Sequence, residues 1–127
     1  MHVALHPILI ADNNLAFRQA LVRFLHAQLA GLTIIEIEAE PHAPLLRAAE
    51  SAMPRLLLLD IGTPGRTDLS VIASLRLSLP SIKIIALGLL DVSSYAETAL
   101  AAGADAFIAK PQIAERFAET FRLLCIE

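Results

Sequence analysis

Asp60 is the residue of this sequence whose position best suits chemistry. It follows four consecutive leucines within the stretch from Arg55 to Gly65. A short apolar run without polar alternation, closed by a Pro-Gly turn, is typical of a strand buried on both faces of a parallel sheet. Ligands of open α/β sheets bind outside the carboxyl ends of the strands, which is where the Asp60 carboxylate would lie. Asp60 is therefore the first candidate for binding or reacting with a ligand, although an Asp before a Gly-containing loop is also a common turn former.

Five strand-then-helix units are predicted to position this carboxylate. Besides the leucine run, the predicted strands are residues 7–11, 32–38, 83–87 and 106–109. The predicted helices are one between Asn14 and Gly31, followed by residues 43–53, 69–79, 95–102 and 113–124. Alternating strands and helices predict an α/β fold with a doubly wound parallel sheet and right-handed crossovers. Residues 32–38 alternate apolar and charged side chains, which favours an edge strand.

Composition and length fit one compact domain. The chain has 127 residues, of which 56% are hydrophobic and 18% charged, enough apolar material for a single core. A net charge of -3 without long basic runs gives no electrostatic footprint for nucleic acid or anionic membrane. Cys125 is the single cysteine, and the amino end resembles no targeting segment, so we predict a soluble, cytoplasmic protein.

Four motifs in order resemble the receiver (CheY-like) domains of two-component response regulators. They are ILIADN, LLLLDIGTPG, KIIALG and AGADAFIAKP, each closing a predicted strand. Their separations are most similar to receivers of LuxR/NarL-type transcriptional regulators. The resemblance implies a flavodoxin-like, three-layer α/β/α fold with five parallel strands in the order 2-1-3-4-5. It also implies a single receiver domain over residues 1–127, with a DNA-binding output domain beyond Glu127 if the chain is part of a longer regulator.

The resemblance also implies a chemistry. A phosphorylated histidine of a sensor kinase would transfer its phosphoryl group to Asp60, and Lys110 would pair with the phosphoryl oxygens. Mg²⁺ would be held by Asp12, Asn13, Asp60 and the backbone carbonyl of Gly62, since this cation prefers oxygen ligands. Asp12 also suits a helix cap, and the two roles are compatible. At most, the domain would catalyse its own phosphorylation and dephosphorylation.

Three positions depart from the receiver pattern. Asn13 stands where a second Asp usually binds the metal, so we expect weaker Mg²⁺ binding. Gly88 replaces a Ser or Thr whose hydroxyl normally bonds the phosphoryl group, which weakens the expected link to the switch aromatic at Phe107. Asp68 replaces a loop glycine, a change that is expected to be structural. The resemblance further predicts a cis peptide bond between Lys110 and Pro111.

Two classes of function follow from these matches and departures. The first is a signalling receiver that is phosphorylated at Asp60 and regulates an output domain or partner, in transcriptional control. The alternative is a pseudo-receiver, a protein-interaction module that works without phosphorylation. An independent phosphatase is a distant third, because no second acid-base carboxylate is evident. A homodimer is expected to use the last two helices and the strand between them, residues 93–124. Its association is expected to depend little on phosphorylation because Gly88 lacks the hydroxyl.

Overall fold

The sheet has five parallel strands. A computed structural model describes residues 6–62 and 69–125, with backbone alone for Cys125. The strands are β1 (Ile8–Ala11), β2 (Ile34–Ile37), β3 (Leu56–Asp60), β4 (Lys83–Gly88) and β5 (Ala106–Ala109). Their order across the sheet is β2-β1-β3-β4-β5. The predicted α/β fold and strand order are confirmed.

Within the described residues, five α-helices connect and cover the strands. They are α1 (Leu15–Gln28), α2 (His42–Ala52), α3 (Ser70–Ser78), α4 (Ser93–Ala102) and α5 (Ile113–Cys125). Asn14 caps α1, since its side chain accepts the backbone N–H of Phe17 at 2.9 Å. No helix within residues 6–62 and 69–125 is long and apolar enough to cross a membrane.

Alternate residues of the central strands point into two cores. In β3, Leu57 and Leu59 pack with α2, α3 and α4, whereas Leu56 and Leu58 pack with α1 and α5. All four leucines are buried, which explains why the run shows no polar alternation. The half-exposed β2 lies at one edge, as its alternating pattern predicts.

The predicted cis bond at Pro111 is wrong. Among residues 6–62 and 69–125 the cis peptide bond is Glu40–Pro41, and Lys110–Pro111 is trans. Lys110 and Pro111 belong to a short 3₁₀ turn, Lys110–Gln112, that leads directly into α5. A trans proline fits the first turn of a helix because the N–H that it lacks would have no intrahelical partner there. Lys110 therefore reaches its position without the bend that the receiver resemblance implies.

Smaller differences lie at the ends of elements. The strand β4 continues one residue further than predicted, through Gly88, because Gly88 still pairs with Ala109 of β5. Helix α4 begins at Ser93, two residues before the predicted start at Tyr95. The predicted loop change at Asp68 lies outside the described residues.

Candidate functional site

Three charged side chains meet at the carboxyl edge of the sheet. Asp60 ends β3, Asp12 directly follows β1, and Lys110 directly follows β5. The ammonium group of Lys110 lies 2.8 Å from Oδ2 of Asp12 and 3.3 Å from Oδ1 of Asp60. Because Ala11 and Leu59 are register partners in adjacent strands, the chain places the two carboxylates side by side. The two neighbouring carboxylates therefore share one positive charge.

The three groups differ in their exposure to solvent. The Asp12 side chain is fully buried, whereas those of Lys110 and Asp60 are 13% and 20% exposed. The ring of Phe17 in α1 covers the ammonium group, with 4.5 Å between Nζ and the ring centroid. The Asp60 carboxylate is thus mostly buried, but a ligand can still reach it from solvent.

The buried carboxylate of Asp12 is costly to ionise. Burial raises its pKa above the ordinary value of 3.8, and the nearby charge of Asp60 adds to the rise. Contacts with Lys110 and with the backbone N–H of Asn14, 2.8 Å from Oδ1, oppose this rise without cancelling it. Within the described residues, Oδ2 has no regular hydrogen-bond donor besides its ion pair with Lys110. A metal cation at this oxygen would have to share it with Lys110.

Replacing Asp12 with Asn is expected to stabilise the fold at neutral pH. Since the folded-state pKa lies above the unfolded-state pKa, the stability gained from holding a proton is present at low pH and is lost as the pH rises through the folded-state pKa. Asp12→Asn removes this burial penalty, so its gain in unfolding free energy should be largest near pH 7 and shrink toward pH 4. Urea unfolding of both proteins across this range tests the prediction, and a pH-independent difference would contradict it.

Gly62 supplies two backbone groups beside Asp60. Its N–H donates to Oδ1 of Asp60 at 3.2 Å, and its φ of 76° lies in the left-handed region that favours glycine. Its carbonyl oxygen accepts the hydroxyl of Tyr95, which reaches across from α4 to within 2.6 Å. A carbonyl oxygen has two lone pairs, so this hydrogen bond leaves room for a second partner.

Asn13 is engaged with the loop after β2. Its Oδ1 accepts the N–H of Glu40 at 2.9 Å, and its Nδ2 donates to the carbonyl of Glu40 at 3.1 Å. These two bonds tie the end of β1 to the residue that precedes the cis Pro41. For Asn13 to ligate a metal, its side-chain oxygen would have to share or leave the bond with Glu40.

The oxygen atoms at the carboxyl edge of the sheet are of the kind that binds a magnesium ion. The buried oxygen of Asp12, the carboxylate of Asp60 and the carbonyl of Gly62 are hard oxygen donors of the kind that Mg²⁺ prefers. Within the described part of the chain, no cluster of three or more His, Cys, Asp or Glu side chains suits a metal. The two carboxylates already share the charge of Lys110, so this set favours weak rather than tight binding.

Phe107 fills the space beside Gly88. A Cβ atom at position 88 would lie 2.6 Å from Cε1 and 2.7 Å from Cζ of the Phe107 ring, well inside normal contact distance. The same ring packs against Tyr95, with 6.0 Å between centroids. The glycine therefore has a steric role besides lacking a hydroxyl, because the aromatic ring occupies the volume that another side chain would need.

Sequence reasoning did not single out two residues that the structure brings to this region. Tyr95 is the only tyrosine of the chain and lies in a helix rich in alanine and serine, a compositional signal that could have drawn attention. Arg18 of α1 donates from Nη1 to the backbone carbonyl of Asp12 and from Nε to Glu36 at 3.1 Å. The spacing of six residues between Asp12 and Arg18 does not by itself predict this hydrogen bond.

Comparisons with known proteins agree on one family. The sequence profile of the response regulator receiver domain matches residues 8–122. A predicted transcriptional regulator of Pseudomonas aeruginosa is 37% identical over 103 residues, which are 81% of this chain and 48% of that protein. The chain thus spans about half the length of this curated relative.

Solved structures show the same fold. A LuxR-family DNA-binding response regulator from Staphylococcus aureus is 27% identical, with a TM-score of 0.77 over 94% of this chain and 98% of that one. A chemotaxis protein of Vibrio cholerae is 19% identical, with a TM-score of 0.76 over 95% of this chain and 99% of that one. With a family profile that covers most of its length, the chain belongs to the response regulator receiver domain family.

Proposed function

We propose that this receiver domain accepts a phosphoryl group on Asp60 from the phosphohistidine of a sensor kinase, with Mg²⁺ as cofactor. The observation that carries the proposal is the Lys110 ammonium group, held 3.3 Å from Oδ1 of the partly exposed Asp60. A carboxylate attacking a phosphoryl group meets a barrier that is largely one of charge. A cation held beside the nucleophile lowers that barrier.

The transfer needs little covalent chemistry from the protein. An oxygen of Asp60 forms a bond to phosphorus as the phosphorus–nitrogen bond to the kinase histidine breaks, and the electron pair returns to the imidazole. Gly62 orients the carboxylate through its N–H at 3.2 Å, and Lys110 offsets the charge of the phosphoryl oxygens. Mg²⁺, when bound by oxygens of Asp12, Asp60 and Gly62, would supply further positive charge.

The output of this domain is proposed to be transcriptional. Its relative from Pseudomonas aeruginosa is a predicted transcriptional regulator, and a LuxR-family DNA-binding regulator shares its fold. DNA contact would then come from an output domain outside residues 1–127, since the net charge of -3 gives this chain no basic footprint. We place the protein in the cytoplasm, as is general for response regulators, with a homodimer through residues 93–124 as the expected assembly.

The Asp60→Asn variant is expected to lose phosphorylation completely. The chain is incubated with a small phosphodonor and Mg²⁺, and intact mass reports whether one phosphate is added. An amide cannot act as the nucleophile, so the variant should stay unmodified while the wild type gains a single phosphate. Asp91→Asn is a matched control, because Asp91 is an exposed carboxylate in the loop after β4. Modification of the Asp60 variant would refute the assignment of the acceptor.

A phosphorylation-independent interaction module is the second candidate. It is favoured by the ring of Phe107 over Gly88 and by the engagement of Asn13 with Glu40. An unmodified wild type under conditions that phosphorylate another receiver would support this alternative over the first.

A further inference from the structure

We propose that helix α4 responds to the cation of the phosphorylation site through Tyr95, rather than to the phosphoryl group through residue 88. This inference rests on the proposed function, because it requires that Mg²⁺ binds beside Asp60. It assigns to Tyr95 a positioning role that joins the loop after β3 to the first turn of α4.

The link includes a short hydrogen bond from a buried side chain. Tyr95 lies in the first turn of α4 and is only 5% exposed. Its hydroxyl donates to the carbonyl oxygen of Gly62 at 2.6 Å, although 33 positions separate the two residues. Gly62 also donates its N–H to Asp60, so the same residue contacts both the reacting carboxylate and α4. A change in the backbone of Gly62 would therefore alter the position of the first turn of α4.

The alternative route through residue 88 is closed. Gly88 has no side chain that could bond a phosphoryl group, and the Phe107 ring lies only 2.6 Å from where a Cβ atom would be. The ring of Phe107 also contacts Tyr95, which leaves the aromatic pair packed between β4 and α4. Among the described side chains, Lys110 lies beside Asp60 and would contact a phosphoryl group there, and Lys110 belongs to the turn before α5 rather than to α4.

Cation binding and the Tyr95 bond share one oxygen and are thermodynamically linked. Whatever effect the Tyr95 hydroxyl has on Mg²⁺ affinity, Mg²⁺ has the same effect on that hydrogen bond. The bond fixes the direction of the Gly62 carbonyl in a glycine that would otherwise rotate easily. Without the hydroxyl, the cation would have to order this peptide itself. We expect Tyr95→Phe to weaken Mg²⁺ binding about three- to tenfold, the range that one hydrogen bond supports.

The test measures Mg²⁺ affinity and the state of α4 separately. Calorimetric titration of the full chain gives the affinity, and amide hydrogen exchange of residues 93–102 reports on α4 with and without saturating Mg²⁺. In the wild type, Mg²⁺ should slow exchange in the first turn of α4. In Tyr95→Phe this slowing should disappear even when enough Mg²⁺ is added to saturate the weaker site. Adding beryllofluoride after Mg²⁺ should change α4 little in either protein.

Thr98→Val is the matched control for loss of a hydroxyl from α4. The Thr98 hydroxyl donates to Ser94 within the helix at 2.8 Å and is exposed, so its removal should leave both Mg²⁺ affinity and the response of α4 unchanged. Equal affinity in Tyr95→Phe and wild type, or an unchanged α4 in the Mg²⁺-bound wild type, would overturn the inference alone. A large response to beryllofluoride beyond that to Mg²⁺ would also overturn it. Absence of Mg²⁺ binding in the wild type would instead contradict the proposed function, and the inference with it.

Discussion

Lys110→Met is expected to lower the free energy of unfolding by about 3 kcal/mol at pH 7, because it leaves two adjacent carboxylates without their shared cation. Asp12 is fully buried and Asp60 is four-fifths buried, so water can compensate only in part. Met retains most of the apolar length of the lysine, which confines the change to the charge. Urea unfolding in the absence of Mg²⁺ measures the loss.

Mg²⁺ is expected to restore part of this stability. A divalent cation can replace the ammonium group between the carboxylates, so Lys110→Met should bind Mg²⁺ about tenfold more tightly than the wild type. The stability difference should also narrow at low pH, since protonation of Asp12 removes one of the two repelling charges. Lys83→Met serves as the control, because Lys83 lies at the amino end of β4, away from the carboxyl ends of the strands where Asp12 and Asp60 lie. Equal stability of Lys110→Met and wild type at pH 7 would show that the carboxylates do not depend on Lys110.

Gly88→Thr is expected to destabilise the fold by about 2 kcal/mol and to displace the Phe107 ring. The new Cβ would lie 2.6 Å from the ring in a buried position, and overpacking of this kind typically costs about 1 to 3 kcal/mol. A double-mutant cycle with Phe107→Ala isolates the clash. In the Phe107→Ala background the threonine should cost much less, because the ring that it would meet is gone. If the losses of unfolding free energy from the two substitutions simply add, the Phe107 ring does not clash with a side chain at position 88.

The same variant tests how phosphorylation is read. In the wild type, the proposed self-association through residues 93–124 should change little when beryllofluoride is added, because residue 88 offers no hydroxyl. Gly88→Thr restores the hydroxyl and frees Phe107 from its packed position, so a response to beryllofluoride should appear in this variant. Sedimentation of both proteins with and without the mimic gives the comparison. A strong response of the wild type would show that another group transmits the phosphoryl signal.

The sequence alone determined the layers and order of this fold. The leucine run of β3 identifies a buried central strand, and the alternation in β2 identifies an edge strand. A strand that is buried on both faces needs apolar side chains throughout, whereas a strand with one exposed face alternates apolar and polar side chains. The four motifs carried the resemblance to receiver domains, and that resemblance implied the strand order. Local signals were weaker at the ends of elements, as at the start of α4, where no polar cap marks Ser93.

Only the tertiary structure decided how the residues around the site are engaged. Sequence reasoning treated Asn13 as a metal ligand, Gly88 as a lost hydroxyl and Pro111 as a cis bend. The fold adds Glu40 as a partner of the Asn13 side chain and the Phe107 ring as a neighbour of Gly88. At Pro111 it replaces the predicted cis bend with a trans proline in a helical turn. The Tyr95 hydroxyl likewise meets Gly62 only because the sheet sets α4 beside the end of β3. Such contacts join residues distant in sequence, and their partners depend on packing directions that neither composition nor local spacing specifies.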